Sequence, residues 1–125
     1  TSLEAEDFTA LRFYNTLTKR KEAFAPLADG RAGIYVCGIT AYDLCHIGHA
    51  RSAIVFDVIT RYLRYRGFDV VYVKNYTDVD DKIIDRAARE GVDIGEVAGR
   101  YIREHDRDMD ALGVERPTVT PRATE

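Results

Sequence analysis

The 125-residue chain has 46% hydrophobic and 31% charged residues, ordinary values for one globular domain and too short a chain for two. Its net charge of −3 gives no overall attraction to nucleic acid, so any RNA contact must come from a local basic patch. No apolar run reaches membrane-spanning length, no signal-peptide layout opens the chain, and its two cysteines point to a reducing, cytoplasmic setting rather than a disulfide scaffold.

Residues 1–10 are polar and acidic and read as a flexible leader, with one domain over residues 11–125. Residues 11–17 hold strand formers and predict a short strand. Residues 18–33 are charged, carry Pro26, Gly30 and Gly33, and predict a loop or turn region. Ile34-Tyr35-Val36 is a short apolar run of the kind buried in a parallel sheet. Over residues 46–66, Ala50, Ala53, Ile54, Val58, Tyr62 and Leu63 recur at three- and four-residue spacing, which predicts an amphipathic helix closed by Gly67. Val70-Val71-Tyr72-Val73 predicts a second buried strand. Strand, helix and strand with short joints make a βαβ unit, expected to be parallel and right-handed.

The chain then turns through Thr77-Asp78 into a second helix over residues 79–90, ending at Gly91, and a third over 94–112, ending at Gly113. Pro117 and Pro121 favour extended backbone over residues 118–121. Thr124-Glu125 reads as the start of a further helix, so the chain is expected to be a fragment. The fold class is α/β: the first half of a Rossmann-like parallel-sheet nucleotide-binding domain.

The most informative stretch runs from Tyr35 to His49. A strand leads through Cys37-Gly38 and a loop into His46-Ile47-Gly48-His49, which opens the first helix. A helix N-terminus offers unpaired N–H donors and a positive dipole end, both suited to a nucleotide triphosphate. His46 and His49 can donate to phosphate oxygens, and Gly48 lets a flat base lie against the backbone. Metal binding by the His46–His49 pair is the competing reading, but no third ligand accompanies them. Cys37 alone reads as a small apolar residue at a strand end, and Cys45 as structural. Thr77 or Asp78 reads as the N-cap of the second helix, with Asp80 and Asp81 in its first turn. Tyr42 and Asp43 either line a pocket or order its loop, and Arg61, Arg64 and Arg66 read as a solvated helix face.

His46-Ile47-Gly48-His49 resembles the signature of class I aminoacyl-tRNA synthetases. Cys37-Gly38-Ile39-Thr40, with Tyr42-Asp43 after it, is similar to cysteinyl-tRNA synthetases in particular, as are the stretches from Tyr72 to Ile84 and from Pro121 to Glu125. The resemblance covers the chain from about Leu11 onward. It implies ATP-dependent activation of cysteine followed by transfer to tRNA(Cys), in a monomeric cytoplasmic enzyme without membrane contact, with Mg2+ accompanying ATP. It implies His46 and His49 as catalytic phosphate contacts, with Gly48 beside ATP. Gly38, Thr40 and Thr77 lie beside the amino acid, and Cys37 is one Zn2+ ligand, the others lying downstream. A thiolate suits zinc where a serine hydroxyl does not, so the metal can separate cysteine from serine. The family's Lys-Met-Ser-Lys-Ser loop is absent, so this stretch alone is expected to be inactive.

Three other readings share parts of these motifs. A ligase coupling cysteine to an amino-sugar would keep Cys37 and the histidines and differ in its acceptor. A nucleotidyltransferase outside translation would not need Cys37, so zinc dependence discriminates. A non-catalytic nucleotide-binding module would keep only the fold.

Overall fold

The structure, a computed structural model, describes residues 11–125; the leader expected over residues 1–10 lies outside the described residues. Arg12–Asn15 (β1) pairs antiparallel with Arg20–Ala23 (β2), Arg12 facing Ala23 and Asn15 facing Arg20. The strand expected near residues 11–17 is therefore present. The loop expected over residues 18–33 is corrected, because it contains β2 and the start of the next strand. The hairpin is mostly exposed, so Arg20, Lys21 and Glu22 can stand in water and no hydrophobic period marks the strand.

Arg31–Val36 (β3) lies parallel to Asp69–Lys74 (β4), in register from Arg31 beside Asp69 to Val36 beside Lys74. The helix Ile47–Tyr65 (α1) joins them, which completes the parallel βαβ unit. Gly67, at φ +90°, turns the chain out of the helix in a backbone shape that a side chain would strain. On the far side of β4, residues 118–122 run parallel to it. Val119 bridges Val73, Arg122 bridges Tyr76, and Lys74 N donates to Val119 O at 3.1 Å. β4 is thus flanked on both sides, and Val70, Tyr72 and Lys74 are buried.

The second helix, Asp81–Glu90 (α2), starts later than expected. Its N-cap is Asp80, whose carboxylate accepts from Lys82 N at 2.9 Å; neither Thr77 nor Asp78 caps it. Thr77 is held extended by a parallel bridge to Thr40, so the helix cannot begin until the chain clears that contact. Asp78 is buried, and its oxygens accept from Thr124 N (3.1 Å) and Thr124 Oγ1 (2.6 Å). Ile94–Ala111 (α3) follows, capped by Asp93 accepting from Gly95 N at 2.7 Å. Residues 122–125 form a turn closed by Glu125 N donating to Arg122 O.

Ile39, Ala41, Tyr76, Ile83, Val97 and Ile102 belong to the larger core, which fastens the loop after β3 to α2 and α3. A smaller cluster of Ala32, Leu63 and Val70 lies beneath α1, with Phe24 and Phe68 packed on it edge to face at 5.5 Å. Each aliphatic side chain fully buried this way is worth about 1.5–3 kcal/mol.

The buried face of α1 is Ala53, Asp57, Thr60 and Leu63, whereas Ile54, Val58 and Tyr62 of the expected apolar stripe are exposed. Asp57 is tolerated inside because Oδ1 accepts from Glu115 N (3.0 Å) and Oδ2 from Arg61 Nε (2.9 Å). Arg61 also donates to Gly113 O at 2.9 Å and Arg64 pairs with Glu115, so these two arginines are ties to the segment after α3 rather than a solvated face. No helix of the described residues is long and apolar enough to cross a membrane.

Candidate active site

A cleft of about 390 Å³ opens at the carboxyl ends of β3 and β4. That is where parallel sheets place ligands, since the loops there are free of the packing that covers the strands. The loop after β3 forms one wall and is pinned to the chain after β4. Gly38 N donates to Asn75 Oδ1 (2.6 Å), Thr77 N to Ile39 O (2.9 Å) and Ala41 N to Thr77 O (3.0 Å). A side chain at Gly38 is impossible here, because its Cβ would stand 1.6 Å from Asn75 O.

The opposite wall is the start of α1. His46 is the N-cap: its Nδ1 accepts from Gly48 N at 3.0 Å, while His49 Nδ1 accepts from His46 N at 3.1 Å. The two rings lie 4.1 Å apart with a tilt of 42°. A ring nitrogen that accepts an amide hydrogen carries no proton, so each imidazole keeps its proton on Nε2 and can donate it to a ligand. Burial first, then the neighbouring His46 ring and Lys74, hold His49 below the ordinary histidine pKa. A Cβ at Gly48 would meet His46 Cε1 at 2.8 Å, so the glycine is what lets the ring fold back on the cap.

Cys37, Gly38, Thr40, His46 and His49 all line the cleft. Gly48 and Thr77 are not among the lining residues; Thr77 holds the wall through its backbone. Tyr42 and Asp43 line the cleft and also order the loop: Tyr42 packs on the core beneath Lys82, and Asp43 accepts from Leu44 N at 2.8 Å. Cys37 is exposed rather than buried, and its thiol, in no disulfide, donates to Gly38 O at 3.7 Å at the cleft wall. Cys45 is half-buried and also faces the cleft, with its thiol pKa pushed up by burial and by Asp108.

For a metal, Cys37 has the right donor chemistry and the right exposure. Among the described residues, however, no group of three or more histidine, cysteine or acidic side chains could hold an ion. A four-coordinate zinc site is therefore not made by these residues alone.

The sequence reading missed Lys74 and His105 in the cleft lining. Lys74 ends an otherwise apolar strand, and His105 falls on the apolar stripe of α3 with Ala98, Tyr101, Ile102 and Met109. A charge closing a buried run and a histidine in a helical stripe were the available signals.

The chain is similar to known tRNA synthetases. A family model described as the catalytic domain of class I (C) tRNA synthetases matches residues 23–125. A cysteine–tRNA ligase of Trichlorobacter lovleyi is 60% identical over 116 residues, 93% of this chain and 24% of that protein. One from Syntrophobacter fumaroxidans is 64% identical over 115 residues, 92% of this chain and 23% of that protein. The chain thus spans about a quarter of the length of these curated relatives. Among solved structures, Mycobacterium tuberculosis methionyl-tRNA synthetase in complex with methionyl-adenylate superposes with a TM-score of 0.59 at 29% identity, over 66% of this chain and 17% of that one.

Proposed function

The chain belongs to the family of class I (C) tRNA synthetase catalytic domains, and from that premise we propose that it is the N-terminal part of the catalytic domain of a cysteine–tRNA ligase. In this reading residues 11–125 are the catalytic-domain portion, residues 1–10 a leader, and the whole protein a cytoplasmic monomer. The cysteine carboxylate attacks the α-phosphate of ATP and pyrophosphate leaves; a hydroxyl of the terminal ribose of tRNA(Cys) then attacks the acyl carbon of the adenylate, and AMP leaves. The adenylate bound by the similar methionyl enzyme supports the first step, and the names of the relatives favour tRNA over an amino-sugar acceptor or a non-catalytic module.

The observation that carries the proposal is the His46–His49 pair at the positive end of α1, each ring holding its proton on Nε2. Both can donate to oxygens whose charge grows as the α-phosphate is attacked, an electrostatic role rather than a proton transfer. Gly48 contributes bare backbone for adenine. Gly38, Thr40 and Thr77 set the wall against which the amino acid lies. Cys37 supplies one ligand of Zn2+, with the others coming from outside the described residues. When bound, that ion would hold the substrate thiolate. Mg2+ would accompany the triphosphate.

The test compares this chain with the longest coding sequence that contains it, in cysteine-dependent exchange of pyrophosphate into ATP and in charging of tRNA(Cys) against an amino-sugar acceptor. The longer protein is expected to exchange and to charge tRNA. The chain alone is expected to be slower by orders of magnitude, since each missing donor to the transition state is worth about 2.7–4 kcal/mol. In the longer protein Cys37→Ser should lower zinc content with ATP binding intact, whereas His46→Ala should slow exchange with zinc retained. A longer protein that binds ATP yet fails to exchange pyrophosphate with cysteine would overturn the reading.

A further inference from the structure

The floor of the cleft holds an ammonium with no carboxylate partner and a buried ring nitrogen with no hydrogen-bond partner among the described residues. Lys74, the last residue of β4, is only 8% exposed, and among the described residues no carboxylate pairs with its ammonium. Other cations of the molecule are engaged: Arg61 with Asp57, Arg86 with Glu90, Arg116 with Asp110. The one carboxylate in the cleft lining, Asp43, is turned to Arg86 at 3.9 Å, and the groups that act on Lys74 from nearby are the thiols of Cys45 and Cys37. Burial strips hydration from this ammonium and holds its pKa below the ordinary lysine value, so a ligand oxygen that restores the lost contacts is favoured there.

His105, from α3, faces the same floor with a side chain 5% exposed. Its Nδ1 lies 3.5 Å from Asp106 Oδ1, a carboxylate that also takes the Tyr76 hydroxyl, and its ring meets Tyr76 edge on. That carboxylate favours the proton on Nδ1 and leaves Nε2 a bare acceptor. Nε2 is buried and has no partner. An unused donor cluster and an unused acceptor thus face one space, and both call for a ligand with its hydration.

We propose that Lys74 and His105 form an oxyanion subsite at the floor of the cleft, taking a carboxylate or phosphate oxygen of the reactants. The proposal deepens the adenylate-forming reading and rests on it. Lys74 donates directly to the oxygen. A water donating one hydrogen to that oxygen and the other to His105 Nε2 satisfies the imidazole, so His105 is a positioning residue. The subsite shares the cleft with the start of α1 and supplies the full charge that the amide donors there lack.

The test uses the 125-residue chain with ATP, cysteine and inorganic pyrophosphate as probes, at constant ionic strength. Lys74→Met should weaken binding of at least one probe by about tenfold, the loss of one charge-assisted contact. Its melting temperature should rise, because an unpaired buried charge has been replaced by an apolar side chain of similar length. A cation kept for structure would give the opposite change in melting. Loss confined to ATP identifies a phosphate as the oxyanion, and loss confined to cysteine identifies the carboxylate. Lys74-dependent binding of pyrophosphate alone would support the subsite while counting against the adenylate reading.

Carbon-13 labelling of the four lysines gives a readout that needs no variant. The Lys74 signal should move with the probe while those of Lys19 and Lys21, on the hairpin, stay fixed. A folded Lys74→Met that binds every probe as the parent does, a parent that binds none, or a Lys74 signal indifferent to all three would each overturn the proposal.

Discussion

Asp57 on α1 and Lys74 at the end of β4 are buried to nearly the same degree, 9% and 8% exposed, yet their surroundings are opposite. Both oxygens of Asp57 are engaged, by the Glu115 amide and by Arg61, in a strap that ties α1 to the segment after α3. The Lys74 ammonium faces an open cleft, and among the described residues no carboxylate pairs with it. The strap is what a buried charge looks like when the fold depends on it. The floor of the cleft is what one looks like when the fold only carries it. Burial alone therefore does not distinguish a structural charge from a working one; the state of its partners does.

The largest effect should come from the one cleft residue that behaves like the strap. Gly38→Ala places a methyl group 1.6 Å from Asn75 O and 2.8 Å from its carbonyl carbon, and backbone cannot yield as a side chain can. A loss of about 3 kcal/mol or more is expected by urea denaturation, the upper end for overpacking. A loss below about 1 kcal/mol would mean that the wall of the cleft moves freely and is not part of the folded frame.

Asp57→Ala comes next, at about 2–3 kcal/mol, because it leaves the Glu115 amide and Arg61 without their acceptor. Set beside the rise in melting temperature expected for Lys74→Met, this difference in sign is the comparison in measurable form. Two losses of similar size would break it.

A smaller effect should appear with pH. Burial, reinforced by Lys74, holds His105 below the ordinary histidine pKa, and His49 is lowered as well. The unfolded chain therefore binds protons more readily than the folded one, and stability present above about pH 6.5 should fall as the solution is acidified. His105→Phe keeps an aromatic ring against Tyr76 and should flatten part of that acid slope in thermal melts. An unchanged slope would assign the whole of it to other groups. Cys45→Ser should be the mildest, under about 1 kcal/mol, since the half-buried thiol makes no hydrogen bond among the described residues.

The parts of the fold that could be read from the sequence are those with a period of their own. Ile34 to Val36 and Val70 to Val73 are continuous apolar runs, and the helix between them has its own spacing and stop signal. Of the hairpin, β1 was legible from its strand formers, whereas β2 escaped because Arg20 and Lys21 face water and leave it no apolar period. The histidine motif marked the place of the site, but the mutual capping that fixes its protons depends on ring geometry. Asp57 showed only as a polar interruption, because the amide that satisfies it lies 58 residues further along. Lys74 and His105 escaped for a related reason: a single charge or imidazole inside an apolar pattern has no meaning until the fold shows what faces it.

The pairing of β4 with residues 118–122 sets a timetable for biosynthesis. Thr118 Oγ1 takes the Tyr72 amide across a separation of 46 residues, and Val119 and Arg122 continue the contact. While the chain is being made, α1 and α2 can coil as soon as they emerge, but one edge of β4 must wait for the last of these partners. At a translation rate of about 5–20 residues per second, the wait is roughly 2–10 s. Through that interval the strand offers open amides and carbonyls to any neighbouring chain, the exposure from which unfinished sheets aggregate. Slower translation over residues 75–117 should lengthen that interval and lower the soluble yield.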